Sequence, residues 1–284
     1  MSAPAQARPL GRRVTGPSAL AGGPRRFAHL TWTLAGQEFK LRFFGSVLGY
    51  LWQLMRPILL FAVLYLVLTQ AIKLGGGARH FPAILLTNVL LFTFFADATG
   101  GAVPSVVDRE NLVRKIHFPR LVVPAAVVLT AAFNLVANLV AVAVLVLASG
   151  VQPRLSWLEF PLLLLALATL ASGCAMLLSA LYVRLRDMRP IWDVALQVLF
   201  YGTPLLYVIE LVQNATLRHF MMINPLAAIV VQVRHAVIDP AAPSAAAAIG
   251  GWERLLVPAG ILVGVFALGF WVFNRAAPGI AEDL

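Results

Sequence analysis

The side chains able to do chemistry are few and scattered. The five histidines, His29, His80, His117, His219 and His235, have no metal-ligand spacing, and the single cysteine, Cys174, lies in an apolar run. The sequence has no GxxxxGK(S/T) phosphate loop, no HExxH and no CxxC. No metal, nucleotide or other cofactor is therefore expected on this chain, and no catalytic residue is assigned. Energy for any work must come from an ion gradient or a separate subunit. An ion-coupled carrier usually keeps several acidic groups inside its spans. Here one, Asp97, sits within an apolar run, while Asp193 and Glu210 fall at the ends of such runs. A proton relay at Asp97 is one reading, and pairing or hydration near an interface is the favoured one. Asn134 and Asn138 are four apart and share a helical face. They either line a polar conduit or lock helices together, with packing favoured. Gly260 and Gly264 form a GxxxG, a weak sign of close helix packing.

The elements that must hold these residues are membrane helices. Of the 284 residues, 60% are hydrophobic and only 12% charged, with a mean hydropathy of +0.85. A soluble domain is nearer half apolar and a quarter charged. Apolar runs predict six transmembrane helices, at about 57–74, 81–103, 121–148, 158–183, 191–209 and 255–273. The fold class is an all-α integral membrane protein. Residues 1–24 read as a disordered basic lead-in without the apolar stretch of a signal peptide, and 276–284 as a short tail. Net charge is +10. Sixteen of the 22 Lys and Arg fall on the side of the N-terminus, the 104–120 loop, the 184–190 loop and the tail. That asymmetry places both termini in the cytoplasm and explains the basic composition without nucleic acid. Trp52, Trp157, Trp192, Trp252 and Trp271 lie at span ends, where an amphipathic ring is most stable.

Three connecting segments stand out. Residues 27–44 place Phe27, Leu30, Leu34 and Leu41 near one helical face, as in a basic helix lying in the interface. Residues 107–120, VDRENLVRKIHFPR, read as a one-to-two-turn helix across the membrane surface. Leu112, Val113 and Ile116 among its charges suggest that something docks there. Between the last two spans, Leu226, Ile229, Val230, Val233 and Val237 form an apolar stripe, with Gln232, Arg234 and His235 off it. Asn224-Pro225 opens that helix. An interfacial helix pair there would gate an exit or simply rest on the membrane.

Four stretches together resemble the permease subunit of type-two ABC exporters, in the branch that exports polysaccharides such as O-antigen, teichoic acid and galactan. They are KLRFFGSVLGYLWQLMRP (40–57), ENLVRKIHFPRLVVP (110–124), LYVRLRDMRPI (181–191) and NPLAAIVVQVRHAVID (224–239). The resemblance covers about residues 27–275, within a transmembrane domain expected over 25–275. It implies a homodimer that binds two copies of an ABC ATPase subunit, with ATP and Mg held by that partner. It implies a bacterial inner-membrane location and a lipid-linked glycan as substrate. By the same resemblance Asp108, Arg109, Glu110, Asn111, Leu112, Val113, Arg114 and Lys115 form the coupling helix to the ATPase. The N-terminal helix is the interface helix, and 210–238 holds the periplasmic gate helices before the last span. Arg42 and Arg56 suit the pyrophosphate head of such a substrate, and they equally suit positive-inside topology. Tyr50, Trp52, Tyr65, Tyr201 and Tyr207 are candidates to stack on sugars, or are interface anchors.

The implied function is ATP-driven export of a polyprenyl-pyrophosphate-linked polysaccharide. The alternatives are export of a drug or small lipid by the same superfamily, an ion-coupled carrier using Asp97, and a non-transporting scaffold.

Overall fold

A computed structural model describes residues 23–43, 47–71, 80–114 and 118–280. Every regular element among the described residues is a helix, and none is a strand. That is the expected answer to burying a backbone in lipid, where each N–H and C=O must be satisfied within its own segment.

The first helix, α1 (Pro24–Phe43), packs along α5. Next comes α2 (Val47–Leu66), which runs on into a π-helical turn, Val67–Ala71. After Pro82 in its first turn, α3 (Phe81–Asp108) continues for 28 residues, about 42 Å at 1.5 Å per residue. A single turn, α4 (Glu110–Val113), follows it. Then α5 (Val122–Ala148) and α6 (Glu159–Arg184) run as two long apolar helices, and α7 (Met188–Gly202) is shorter. The segment beyond holds α8 (Ala215–Met222), α9 (Pro225–Val233) with its π-helical extension Arg234–Ile238, and α10 (Ala245–Ile249). The last helix is α11 (Leu256–Ala276).

Helix α3 is the centre of the bundle: its apolar window is 78% buried, against 11% for that of α11. It packs on α5, α6, α2 and α7, while α11 leans on α6 from outside. The main core joins Leu91, Phe95 and Ala98 of α3 to Ala131 and Leu135 of α5, Leu167 and Ala171 of α6, and Leu226 and Val230 of α9.

Four helical segments are long and apolar enough to cross a membrane: Phe81–Asp108, Val122–Ala148, Leu155–Arg184 and Glu253–Ala276. They match the second, third, fourth and sixth predicted spans. The first predicted span coincides with a shorter apolar stretch, Met55–Ala71. The fifth is interrupted. Helix α7 has 15 residues, about 22 Å, short of a hydrocarbon core of about 30 Å. It stops at Gly202 because Pro204 has no N–H to continue the ladder. The chain then runs irregularly to a 3₁₀ turn at Ile209–Leu211.

Two packing expectations change. The expected stripe of α1 holds only in part, with Phe27, Leu30 and Leu34 half-buried. Thr31 and Ala35 beside them are the buried positions, and Leu41 is exposed. The small Ala35 lets α1 approach α5, where Trp32 and Phe39 both meet the Phe133 ring edge-on, at 5.2 and 5.7 Å. The close helix contact is likewise not at Gly260 and Gly264, which have nothing within 4 Å of where a Cβ would stand. It is at Gly173 and Gly269, where α6 and α11 cross.

Candidate functional site

The α3–α4 corner is built by a break in the helix at Arg109, whose φ of −114° leaves the α region. Its carbonyl then accepts from Leu112 N at 2.9 Å and Val113 N at 3.1 Å, which winds the α4 turn. Val113 anchors the turn. It is fully buried in a cluster with Val106, Met176, Phe273, Ala277 and Ile280, against which Phe27 of α1 packs. The charged side chains stay outside. Asp108, Asn111 and Arg114, spaced three apart, are exposed, and Arg114 pairs with Glu110 at 2.6 Å. Such a surface pair contributes little stability, so its carboxylate and guanidinium remain available to a partner. Asp108 is the last residue of α3 rather than part of the short helix, and Lys115 lies outside the described residues.

A second ion pair ties this corner to α1. The Arg109 guanidinium meets the Glu38 carboxylate at 2.5 Å, with both side chains largely buried. Nothing in local spacing announces it. Glu38 is the one acidic residue in a basic segment, and that is the signal the sequence offered.

At the opposite end of α3, polar contacts hold the interrupted fifth span and the α8–α9 segment together. Buried Asn88 donates to the Leu205 carbonyl at 3.0 Å, supplying a donor beyond the end of α7. Asn224 caps α9 through Leu226 N and also donates to the Thr203 hydroxyl at 3.1 Å. Helix α8 and the Pro225–Ile238 helix meet at 99°. Of the predicted stripe, Leu226, Ile229, Val230 and Val233 are buried and Val237 is half-buried, but Arg234, expected on the polar face, is buried too. It is held by Glu210 at 2.7 Å and Asp239 at 3.6 Å. Ser156 and Trp157 donate to the Ala236 and Val237 carbonyls, which lie in the π-helical turn, at 2.6 and 3.0 Å. The segment is therefore inserted into the protein rather than resting on a surface.

The remaining sequence candidates do not converge on one place. Trp52 and Arg56 are exposed on α2. Tyr65 is half-buried and stacked on Phe61 at 5.8 Å. Tyr201 is exposed near the end of α7, and Tyr207 lines a small cavity with Asn88 and Arg234. The Arg42 and Tyr50 side chains lie outside the described residues. Asn134 and Asn138 face Asp97 and Thr93 across a narrow cavity between the packed helices α5 and α3. Trp192, expected as a span-end anchor, donates to Thr99 of α3 at 3.0 Å. Among the described residues, no group of three His, Cys, Asp or Glu side chains is placed to hold a metal.

Comparison with known proteins agrees with this architecture. The chain is 29% identical to the O-antigen export system permease protein RfbA of Myxococcus xanthus over 260 residues, 91% of this chain and 96% of that protein. Two proteins of the same name from Klebsiella pneumoniae are each 23% identical over 202 residues, 71% of this chain and 77% of theirs. Residues 29–238, well over half of the chain, match the profile of the ABC-2 type transporter family. A multi-pass helical membrane protein with no nucleotide motif, matched over that length, belongs to the ABC-2 type transporter family.

Proposed function

We propose that the chain is the permease subunit of an ATP-driven exporter that carries a polyprenyl-pyrophosphate-linked polysaccharide from the cytoplasmic to the outer side of a bacterial inner membrane. The observation that carries this reading is the nearly end-to-end likeness to a permease named for O-antigen export. A separate ATPase subunit docks on the α3–α4 corner. The exposed line Asp108, Asn111 and Arg114 supports that docking, as does the burial of Val113, which turns a push on α4 into a push on the bundle. Arg42, near the end of α1, and Arg56, exposed midway along α2 where the apolar run begins, receive the pyrophosphate.

Two copies assemble around the path. Helix α7 supports this: it has no buried residue within the chain and leaves Ile191, Val194, Val198 and Tyr201 exposed. Trp52 and Tyr201, both exposed, are the aromatic candidates best placed to meet sugar.

Depletion of the protein in its host, with lipid-linked glycans and surface polysaccharide quantified together, tests the reading. One lipid-linked glycan should build up inside while its polymer disappears outside. Unchanged glycans on both sides would sink it and turn attention to drugs and small lipids as substrates.

A further inference from the structure

Within the bundle, Asp97 and Thr93 of α3 face Asn134 and Asn138 of α5 across a cavity otherwise walled by apolar side chains. Both asparagines are 6% exposed. Part of their hydrogen-bonding capacity is used. Asn138 Nδ2 donates to the Asn134 carbonyl at 2.9 Å, and the Thr93 hydroxyl donates to the Val89 carbonyl at 2.8 Å. Two groups are left over. The Asn134 Nδ2 amide, a donor, and the Asn138 Oδ1, an acceptor, have no hydrogen-bond partner among the described residues. A buried amide without a partner is costly anywhere and has no water to fall back on in the middle of a membrane bundle.

The dimensions and the chemistry name what completes the site. About 20 Å³ is open to the centre of a water-sized molecule. That is room for one water, which needs at least about 10–15 Å³ and two to four polar partners. It is far too small for a sugar, a lipid head or a nucleotide. A cation fits the volume but not the donors, because Asn134 presents an N–H to the space. We propose that this cavity binds a single water molecule, which accepts from Asn134 Nδ2 and donates to Asn138 Oδ1 and to the Asp97 carboxylate. Three bonds are the usual number for a buried water. The water joins the two amides, one turn apart on α5, to the carboxylate on α3, making a hydrated joint between the two helices.

The test uses the full chain in lipid nanodiscs and the variants Asn134→Leu, Asn138→Leu and their combination. Leucine keeps the approximate volume and removes the hydrogen bonds. If a water bridges the amides, each single variant strands it and lowers the apparent Tm by about 2–4 °C. The double variant then loses clearly less than the sum, because both amides act through the same molecule. If the cavity is dry, leucine replaces an unsatisfied amide and the Tm holds or rises, which overturns the proposal. Fully additive losses overturn it as well. A density map of the unaltered chain, at a resolution that shows ordered water, decides independently of whether the variants fold. It must contain a peak about 3 Å from both Asn134 Nδ2 and Asn138 Oδ1, and a map without that peak refutes the site.

Discussion

At Gly269 a Cβ would overlap the Gly173 carbonyl, and at Gly173 one would stand 2.7 Å from the Phe266 backbone. Helix backbones that close leave no side chain to yield. Gly269→Ala should therefore force α11 away from α6 and destabilise the protein by about 1–3 kcal/mol. Gly260→Ala should instead hold or raise stability, by up to about 1 kcal/mol, since it faces open space inside a helix. Thermal unfolding of the two purified variants checks both, and equal effects would contradict the crossing point. The contrast also shows what a sequence can carry. GxxxG at Gly260 and Gly264 is visible because its members share one helix. The pair that matters is divided between two helices 96 positions apart, and no local spacing can reveal it. Glu38 and Arg109 are divided between two helices in the same way, whereas Asn134 and Asn138, four apart, are legible as one face.

Among the elements, α9 was readable and α7 only half so. Asn224-Pro225 gave the start of α9, and its 3.6-residue period gave the buried stripe. The fifth span followed an apolar run through Ile209, but hydropathy does not record where backbone bonding stops, and Pro204 does. The same segment hides its ionic centre, because Arg234 lies off the apolar stripe while the helix is inserted far enough to bury it. Arg234→Met should destabilise the α8–α9 segment by about 3 kcal/mol, since Asp239 loses its buried partner. Glu210→Gln should cost no more than about 1 kcal/mol, because Glu210 is 40% exposed. Limited proteolysis between α7 and α9 measures the difference, and the reverse order would disprove the assignment. At the other end, Arg114→Glu breaks the pair on α4 without touching buried Val113. It should leave the amount of folded protein unchanged while reducing copurified ATPase by about tenfold, an order of magnitude suited to a docking contact. Unaltered copurification and export would remove α4 from the docking surface.

For the molecule as a whole, hydropathy and charge gave the class, and helix packing supplied the arrangement. Phe27 of α1, Val113 of α4 and Ile280 near the C-terminus gather in one cluster, so the two ends of the described chain meet at the α4 end of the bundle. The basic asymmetry predicts that this end is cytoplasmic. In a Cys174→Ser background, Thr15→Cys and Glu282→Cys should be labelled by an impermeant thiol reagent only after the membrane is opened. Gln213→Cys should be labelled in intact spheroplasts. The opposite pattern would invert the topology. Helix α3 packs on α5, α5 packs on α1, and the Glu38–Arg109 pair closes α1 back onto the foot of α3. Two side-by-side seams and one ion pair therefore join the three helices pairwise, and they should move as one unit. A load on the α4 corner is then expected to move the three helices together relative to α7, which Asn88 of α3 meets just beyond its end through the Leu205 carbonyl. Spin labels on α1 and α5 should hold their separation through a nucleotide cycle while the separation from either to α7 changes.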